Sequence, residues 1–289
     1  MVKIVFLMFA LVFFSACDRH KYHDLRIAVS PWIGYSPIYY AQEQGWLKDA
    51  NIKLIHTTSL YDTVHYFQAD LVDAFMSTQY EVSLIKDKKI FHLLPLDRSN
   101  GGDVVLSNIS LDKLVKSENI TAYLEVDSIN KIIFNEFIKK HSIPITKIEI
   151  TNKSQSLIKG MTPNNNDDAV IIITYEPYAT FLKKSGFIEV DSTRNSEILV
   201  LDSLYVNDDF FNNHQDSPSK IKDIINRSYA ELEKDPKAYY EVIKPYLENL
   251  TYDEFADSLS NIEWLLGKSK PELDKVFISH DILPLRTEK

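Results

Sequence analysis

The stretch LRIAVSPWIGYSPIYYAQEQGWL, residues 25–47, contains the signals of a strand, a loop and a helix in that order. Its first five residues form a short apolar run, which predicts a buried strand. Ser36 and Pro37 are typical of a helix start, because serine caps free N–H groups and proline fits the first helical position. Gly45 predicts the helix end, since glycine readily adopts the left-handed conformation of a C-terminal cap. The stretch therefore predicts a β-loop-α unit with an aromatic loop.

The alternation of strand and helix continues along the chain. Further strands are expected at residues 52–55, 73–76, 91–96, 120–124, 147–150 and 169–174, with helices at residues 60–69, 79–86, 128–140 and 177–184. Beyond Pro218 the pattern predicts only helices. This order favours an α/β protein in which mainly parallel sheets are flanked by helices. The alternation restarts after Gly101 and Gly102, which predicts two lobes.

The first residues have the pattern of an exported protein. Lys3 is followed by an unbroken apolar run over residues 4–14 and by the small residues Ser15 and Ala16. This is the charged, apolar and small-residue order of a signal peptide, and the apolar run is too short for a permanent membrane span. We expect residues 1–16 to be removed on export.

Cys17 follows directly and is the only cysteine of the chain. A small-residue pair before a cysteine resembles the lipobox, in which the cysteine is acylated, although Phe14 departs from the usual aliphatic residue. Acylation at Cys17 would anchor the protein to a membrane, and Asp18 resembles an inner-membrane retention signal. We therefore expect a lipid-anchored protein at the periplasmic face of the inner membrane, with residues 17–24 as a tether. The alternative is an ordinary signal peptide followed by an unmodified cysteine.

Composition and motifs exclude several classes of protein. The formal net charge of -9, which becomes -10 when Lys3 leaves with the leader, argues against binding to nucleic acid. The sequence has no Walker-type phosphate loop, no G-x-S-x-G elbow and no H-E-x-x-H zinc motif. We therefore expect no enzymatic activity, no cofactor and no bound metal.

Four segments, in this order, resemble the nitrate, sulfonate, taurine and pyrimidine-precursor solute-binding proteins of ABC importers. They are the opening segment at residues 28–47, ADLVDA at residues 69–74, LDRSNGGD at residues 96–103 and DAV with TYEPY within residues 168–178. The resemblance implies the type II periplasmic-binding-protein fold, in which two lobes close over one small molecule.

Carried over to this chain, the resemblance places lobe 1 at residues 25–106 plus 201–289 and lobe 2 at residues 107–200. It implies a monomer that binds a small-molecule ligand and delivers it to an ABC permease and ATPase complex. Two alternatives stay open. One is a sensory lipoprotein that signals to a membrane kinase or cyclase, and the other is an interaction protein without a small ligand.

Ligands of open α/β sheets bind at the carboxyl ends of the strands, and the resemblance puts the cleft there. The candidate ligand-binding residues are Trp32, Gly34, Tyr35, Thr78, Glu81, Asp97, Asp103, Glu125, Ser128, Tyr175 and Glu176. Trp32 and Tyr35 offer flat surfaces for stacking, or else belong to the core. Asp127 or Ser128 is also expected as a helix cap, and Glu176 needs either a ligand donor or an internal cation.

The candidate cleft contains more carboxylates than cations. A sulfonate or nitrate would favour arginine, lysine or free helix N-termini, whereas only Arg98 and Arg194 lie near these segments. Together with the aromatic residues, the carboxylates predict a ligand with N–H donors or positive charge, such as an aminopyrimidine.

Overall fold

The computed structural model describes residues 24–163, 168–268 and 271–284. The predicted signal peptide, the lipidation site at Cys17 and all of the tether except Asp24 lie outside the described residues.

The strands form two separate sheets. The seven-stranded sheet contains β1 (Leu25–Val29), β2 (Ile52–His56), β3 (Ala74–Thr78), β4 (Ile90–Ser99), β10 (Leu201–Asn207), β11 (Ile262–Trp264) and β12 (Leu283–Pro284). The five-stranded sheet contains β5 (Asp103–Ser107), β6 (Ile120–Leu124), β7 (Ile148–Asn152), β8 (Ala169–Tyr175) and β9 (Ile188–Ser192). Each sheet is the centre of one lobe, and the α/β two-lobed fold class predicted from the sequence is confirmed.

Helices connect the strands and cover both sheets. They are α1 (Ser36–Glu43), α2 (Trp46–Asp49), α3 (Leu60–Gln68), α4 (Gln79–Val82), α5 (Leu111–Leu114), α6 (Ile129–Lys140), α7 (Gln155–Ile158), α8 (Tyr178–Lys184), α9 (Asp208–Asn213), α10 (Ser217–Lys234), α11 (Pro236–Ile243), α12 (Tyr252–Leu259) and α13 (Pro271–Ser279). Within the described parts of the chain, no helix combines the length and the apolar character needed to cross a membrane.

The opening unit forms largely as its sequence predicts. Gly45 adopts the left-handed conformation with φ of 76° and separates α1 from α2. Ser36 is already the first helical residue, and Tyr35 stands at the N-cap position without a side-chain cap. The loop between β1 and α1 tightens into a 3-10 turn at Ile33–Tyr35, whose residues are all buried. The aromatic loop is therefore held rigidly at the end of β1.

The prediction of mainly parallel sheets is wrong, because both sheets are mixed. Strands β1, β2 and β3 pair in parallel, and so do β6, β7 and β8. Strands β4, β5, β9 and β10 carry the chain between the lobes, and β10 and β5 run antiparallel to their main neighbours. The physical reason is that a strand entering directly from the other lobe comes from the opposite end of the sheet, without the helical crossover that parallel pairing needs.

The segment beyond Pro218 is also not purely helical. It is dominated by α10 to α13, but β11 and β12 add to the edge of the seven-stranded sheet by pairing with β4. Helices α10 and α11 pack on α1, and Tyr40 of α1 stacks on Tyr239 of α11 with ring centroids 4.4 Å apart. The C-terminal segment thus belongs to the lobe of the seven-stranded sheet.

Candidate ligand-binding site

A small cavity lies between the two lobes. Its lining residues come from both sheets and their loops: Trp32, Leu60, Thr78, Asp103, Tyr175 and Asp202. The volume of about 10 Å³ is enough for about one water molecule. The lobes are therefore closed on each other, and four of the predicted site residues meet at the cavity.

Trp32 extends from the loop after β1 across the cleft. Its Nε1 donates a hydrogen bond to Oδ1 of Asp97 over 3.1 Å, and its ring meets that of Tyr175 edge to face at 6.0 Å. A Cβ atom on Gly34 would overlap Oδ2 of Asp97 and Nε1 of Trp32, and a Cβ on Gly102 would overlap Cη2 of Trp32. Glycine at these two positions allows the indole to lie in the cleft, and Gly34 also makes room for the Asp97 carboxyl.

Asp97 and Asp202 form a pair of buried carboxyls in the site. They are directly opposite each other on the antiparallel strands β4 and β10, and both are buried. Tyr35 donates its hydroxyl hydrogen to Oδ1 of Asp202 over 2.5 Å. Burial raises the pKa of both carboxyls. The negative charge of Asp97 raises the pKa of Asp202 further, and that of Asp103 raises the pKa of Asp97.

Glu81 connects the two lobes. It is fully buried in α4, where Thr78 donates to Oε2. Its Oε1 accepts a hydrogen bond of 2.6 Å from the backbone N–H of Ile129, the first residue of α6 in the other lobe. Burial raises the pKa of Glu81, and these hydrogen bonds oppose the rise. The Glu81 side chain therefore joins the two lobes through a buried hydrogen bond.

Glu125 approaches the cleft from the five-stranded lobe. Its Oε1 accepts a hydrogen bond of 3.0 Å from the backbone N–H of Gln155, and burial raises its pKa to about 7. It also lines a wider groove of about 250 Å³ that contains Ser59 and Asp62 of the opposite lobe. Ser128 caps α6 by accepting from the N–H of Asn130 over 3.2 Å, as predicted for its capping role.

Asp103 and Tyr175 close the cavity from the side of the five-stranded sheet. They are opposite each other on β5 and β8, and burial raises the pKa of Asp103 to about 7. Three buried polar atoms of the cleft have no hydrogen-bond partner among the described residues: Asp97 Oδ2, Glu125 Oε2 and Tyr175 Oη. Buried polar atoms are nearly always paired, so these three are candidates for hydrogen bonds to a bound molecule, and of the three residues Tyr175 already lines the closed cavity.

Glu176 has internal partners instead. Its Oε2 accepts from the N–H of Thr180 over 3.1 Å and its Oε1 from the Thr180 hydroxyl over 3.0 Å. The ammonium of Lys183 lies 3.7 Å from Oε1. The carboxylate thus stabilises the start of α8, and it is not among the residues lining the cavity.

Sequence reasoning missed Asp202 and Leu60. Asp202 is the single charged residue in the apolar run ILVLDSLYV, residues 198–206. A lone carboxylate in a buried strand is costly unless it has a partner or binds a ligand. This pattern could have identified Asp202 as a candidate site residue. Leu60 begins a helix whose sequence looks like any amphipathic helix, so the sequence carries no signal for it.

The cleft carboxylates have no cationic partner. Among the described residues, no lysine, arginine or histidine forms an ion pair with Glu81, Asp97, Asp103, Glu125 or Asp202. Arg98 instead lies 3.6 Å from Glu263, and Arg194 donates to Asn261. The described residues also contain no group of three or more potential ligands arranged for a metal ion.

Three solved structures have similar folds. The periplasmic aliphatic sulphonate binding protein SsuA from Escherichia coli matches with a TM-score of 0.67 and 10% identity, over 90% of this chain and 85% of that chain. The ligand-binding component of an ABC-type import system from Staphylococcus aureus, with zinc bound, matches with a TM-score of 0.69 and 11% identity, over 90% and 95%. The periplasmic nitrate-binding protein NrtA from Synechocystis matches with a TM-score of 0.60 and 8% identity, over 80% and 68%.

Searches with the sequence found no matching protein-family model and no matching curated protein. The chain nevertheless has the two-lobed fold of type II periplasmic binding proteins, as its resemblance to the solute-binding proteins predicted. The likeness to SsuA and NrtA is a likeness of fold at low identity, so the ligand has to be argued from the side chains of this cleft.

Proposed function

We propose that this protein is an extracytoplasmic solute-binding protein that closes over a small nitrogen-containing molecule and delivers it to an ABC importer. The observation that carries the proposal is the set of five buried carboxylates between the lobes, which have no cationic partner among the described residues. Burying uncompensated carboxylates is costly. A bound molecule that brings N–H donors or positive charge removes that cost.

The free atoms of the cleft support the same class of ligand. Oδ2 of Asp97 and Oε2 of Glu125 accept hydrogen bonds and cannot donate them when ionised. Trp32 and Tyr175 add aromatic surfaces, which attract cations and stack on flat heterocycles. A sulfonate or nitrate would meet repulsion at this site. Of the ligands that fit, an aminopyrimidine or a small amidine matches both the donors and the flat surfaces.

Ligand entry requires the lobes to separate, because the closed cavity holds about one water molecule. Two connections join the lobes, between β4 and β5 and between β9 and β10. They are tied together where the hydroxyls of Ser99 and Thr193 lie 2.8 Å apart. This arrangement suits a hinge that opens and closes the cleft.

The proposal includes the lipid anchor at Cys17 and a monomeric protein at the periplasmic face of the inner membrane. Replacement of the cysteine tests the anchor directly. We expect labelled palmitate to enter the wild-type protein and the Cys17→Ser variant to leave the membrane fraction. A membrane-bound, unlabelled wild type would contradict the anchor while leaving the binding function untouched.

Binding is tested by native mass spectrometry of the purified protein, followed by a thermal-shift panel. The panel contains guanidinium, methylammonium and 4-aminopyrimidine on one side and sulfate, nitrate and methanesulfonate on the other. We expect stabilisation by members of the first group and none by the anions. Stabilisation by anions alone would overturn the proposed ligand class. A co-purified molecule identified by its mass would then be tested for binding in place of the panel compounds.

A further inference from the structure

We propose that Asp97 and Asp202 share a proton in the ligand-free protein and that a cationic ligand displaces it, so that binding releases a proton. The coupling to ligand rests on the proposed function. The shared proton rests on the arrangement of the two carboxyls alone, and the two parts are tested separately.

The first observation is the position of the pair. Asp97 of β4 and Asp202 of β10 are cross-strand partners, and such partners have their Cβ atoms roughly 4.5–5.5 Å apart. They are 0% and 2% exposed. Two ionised carboxylates at this separation, without water, repel each other strongly. Holding one proton between them is the arrangement of lowest free energy.

The groups around the pair do not supply a positive charge. Tyr35 from the loop after β1 donates to Asp202, and the phenol of Tyr205 faces the same carboxyl from β10. Glu81 of α4 and Asp103 of β5 add further negative charge. Trp32 contributes only a neutral N–H. In the described part of the chain, every titratable group facing the pair is therefore a carboxyl or a phenol.

The second observation is an unpaired atom. Oδ1 of Asp97 accepts from Trp32, whereas Oδ2 is buried and has no hydrogen-bond partner among the described residues. An ionised oxygen in that state keeps its full desolvation cost. A proton on the pair lowers the cost without a ligand, and the N–H group of a cation lowers it with one.

The exchange balances in charge. Protein with one proton on the pair takes up one permanently charged monocation, and the proton leaves to the buffer. No bond other than the O–H bond breaks, and no electron is transferred. Linkage then makes the affinity for such a cation rise about tenfold per pH unit until the pair has lost its proton, and level off above that pH. The pair titrates as a unit rather than as two separate residues.

The shared proton is tested on ligand-free protein by infrared difference spectra between pH 6 and pH 9. We expect the wild type to lose protonated-carboxyl absorption, and the one carboxyl of the pair that is left in Asp97→Asn or in Asp202→Asn to lose its proton at a lower pH, because the repulsion from its neighbour is gone. The double variant should lack the pair's part of the absorption altogether. Absorption equal to the wild type in both single variants would overturn the proposal. Asp257→Asn, at an exposed position of α12, is the matched control, and circular dichroism confirms folding of each variant.

The coupling is tested by calorimetry with guanidinium at pH 6 in two buffers of different ionisation enthalpy. We expect the wild type to release about one proton per bound cation and Asp202→Asn to release none. Binding without proton release would overturn the coupling and leave the proposed function standing. If sulfate or nitrate binds and guanidinium does not, the proposed ligand class fails, and the infrared result still decides whether the proton is shared.

Discussion

Glu81 of α4 accepts a hydrogen bond of 2.6 Å from the backbone N–H of Ile129, which begins α6 in the other lobe. The contact is fully buried on the side of Glu81. Lys184 and Glu254 also bridge the lobes, at 2.9 Å, but the lysine side chain is 52% exposed. Buried hydrogen bonds to charged groups contribute more than exposed ion pairs do. Closure should therefore depend on Glu81 far more than on the ion pair at the surface.

Glu81→Ala should weaken the closed state of the ligand-free protein by about 1–3 kcal/mol, because Ile129 loses its acceptor. We expect a larger radius of gyration by small-angle X-ray scattering. The matched control is Lys184→Ala, which removes an exposed pair and should change closure by about 0–1 kcal/mol. Equal opening in both variants would contradict the proposal that Glu81 holds the lobes closed.

Asp103→Asn should make stability less dependent on pH. The pKa of Asp103 is raised from 3.8 to about 7 in the folded protein, so the contribution of this carboxyl to stability is fully present below about pH 4 and is lost as pH rises to about 7. The variant lacks this loss and should gain on the order of 2–4 kcal/mol over the wild type between pH 4 and pH 8. Unfolding followed across pH measures the difference. Asp257→Asn should give a flat difference, and a flat difference for Asp103→Asn as well would refute the raised pKa.

Gly102→Ala should displace Trp32, since the added Cβ overlaps the indole Cη2. Overpacking of this kind costs about 1–3 kcal/mol. Replacing Trp46 and Trp264 by phenylalanine leaves Trp32 as the only tryptophan, and its emission should shift to longer wavelength in the glycine variant. Gly160→Ala is the control, because its Cβ would have its nearest contact at 3.7 Å. Unchanged emission in Gly102→Ala would mean that the indole tolerates the methyl group.

Glu176→Gln should lower stability without changing ligand affinity. The carboxylate holds Thr180 at the start of α8 and lies 3.7 Å from Lys183, and it does not line the cavity. We expect a loss of about 1–3 kcal/mol in unfolding free energy with the thermal-shift response to guanidinium retained. Asp202→Asn should show the reverse, a weakened response to the cation. A lost response in Glu176→Gln would place its carboxylate in contact with the ligand.

Local signals were enough for the opening β-loop-α unit of the chain, whereas β5, β9 and β10 were not predicted as strands. The apolar run of β1 matched its predicted bounds, and Gly45 ended α1 as expected. These features depend on neighbours within a few residues, which is the range over which apolar periodicity and caps act. The acidic and aromatic character of the cleft was predicted from the residue types after the expected strands, although Asp97 proves to lie inside β4 and Asp103 begins β5.

The local sequence does not predict how the strands that carry the chain between the lobes pair with their neighbours. β5 and β10 look like ordinary buried strands, and only the tertiary structure shows that they run antiparallel to their main neighbours. The same pairing brings Asp202 opposite Asp97, although the two are far apart in sequence. The internal partners of Glu176, Thr180 and Lys183, lie on a helix whose facing could not be predicted, so the choice between a ligand donor and an internal cation stayed open.

The sequence by itself determined that the chain builds two α/β lobes with carboxylates and aromatic rings at the strand ends, because residue type and short-range periodicity carry that information. Only the tertiary structure decided which carboxylates meet. Register between distant strands depends on how whole sheets bury their faces, and it selects Asp97 and Asp202 for the cleft while it turns Glu176 towards α8. The acidic character of the site could therefore be predicted from the sequence, whereas the pairing of Asp97 with Asp202 could not.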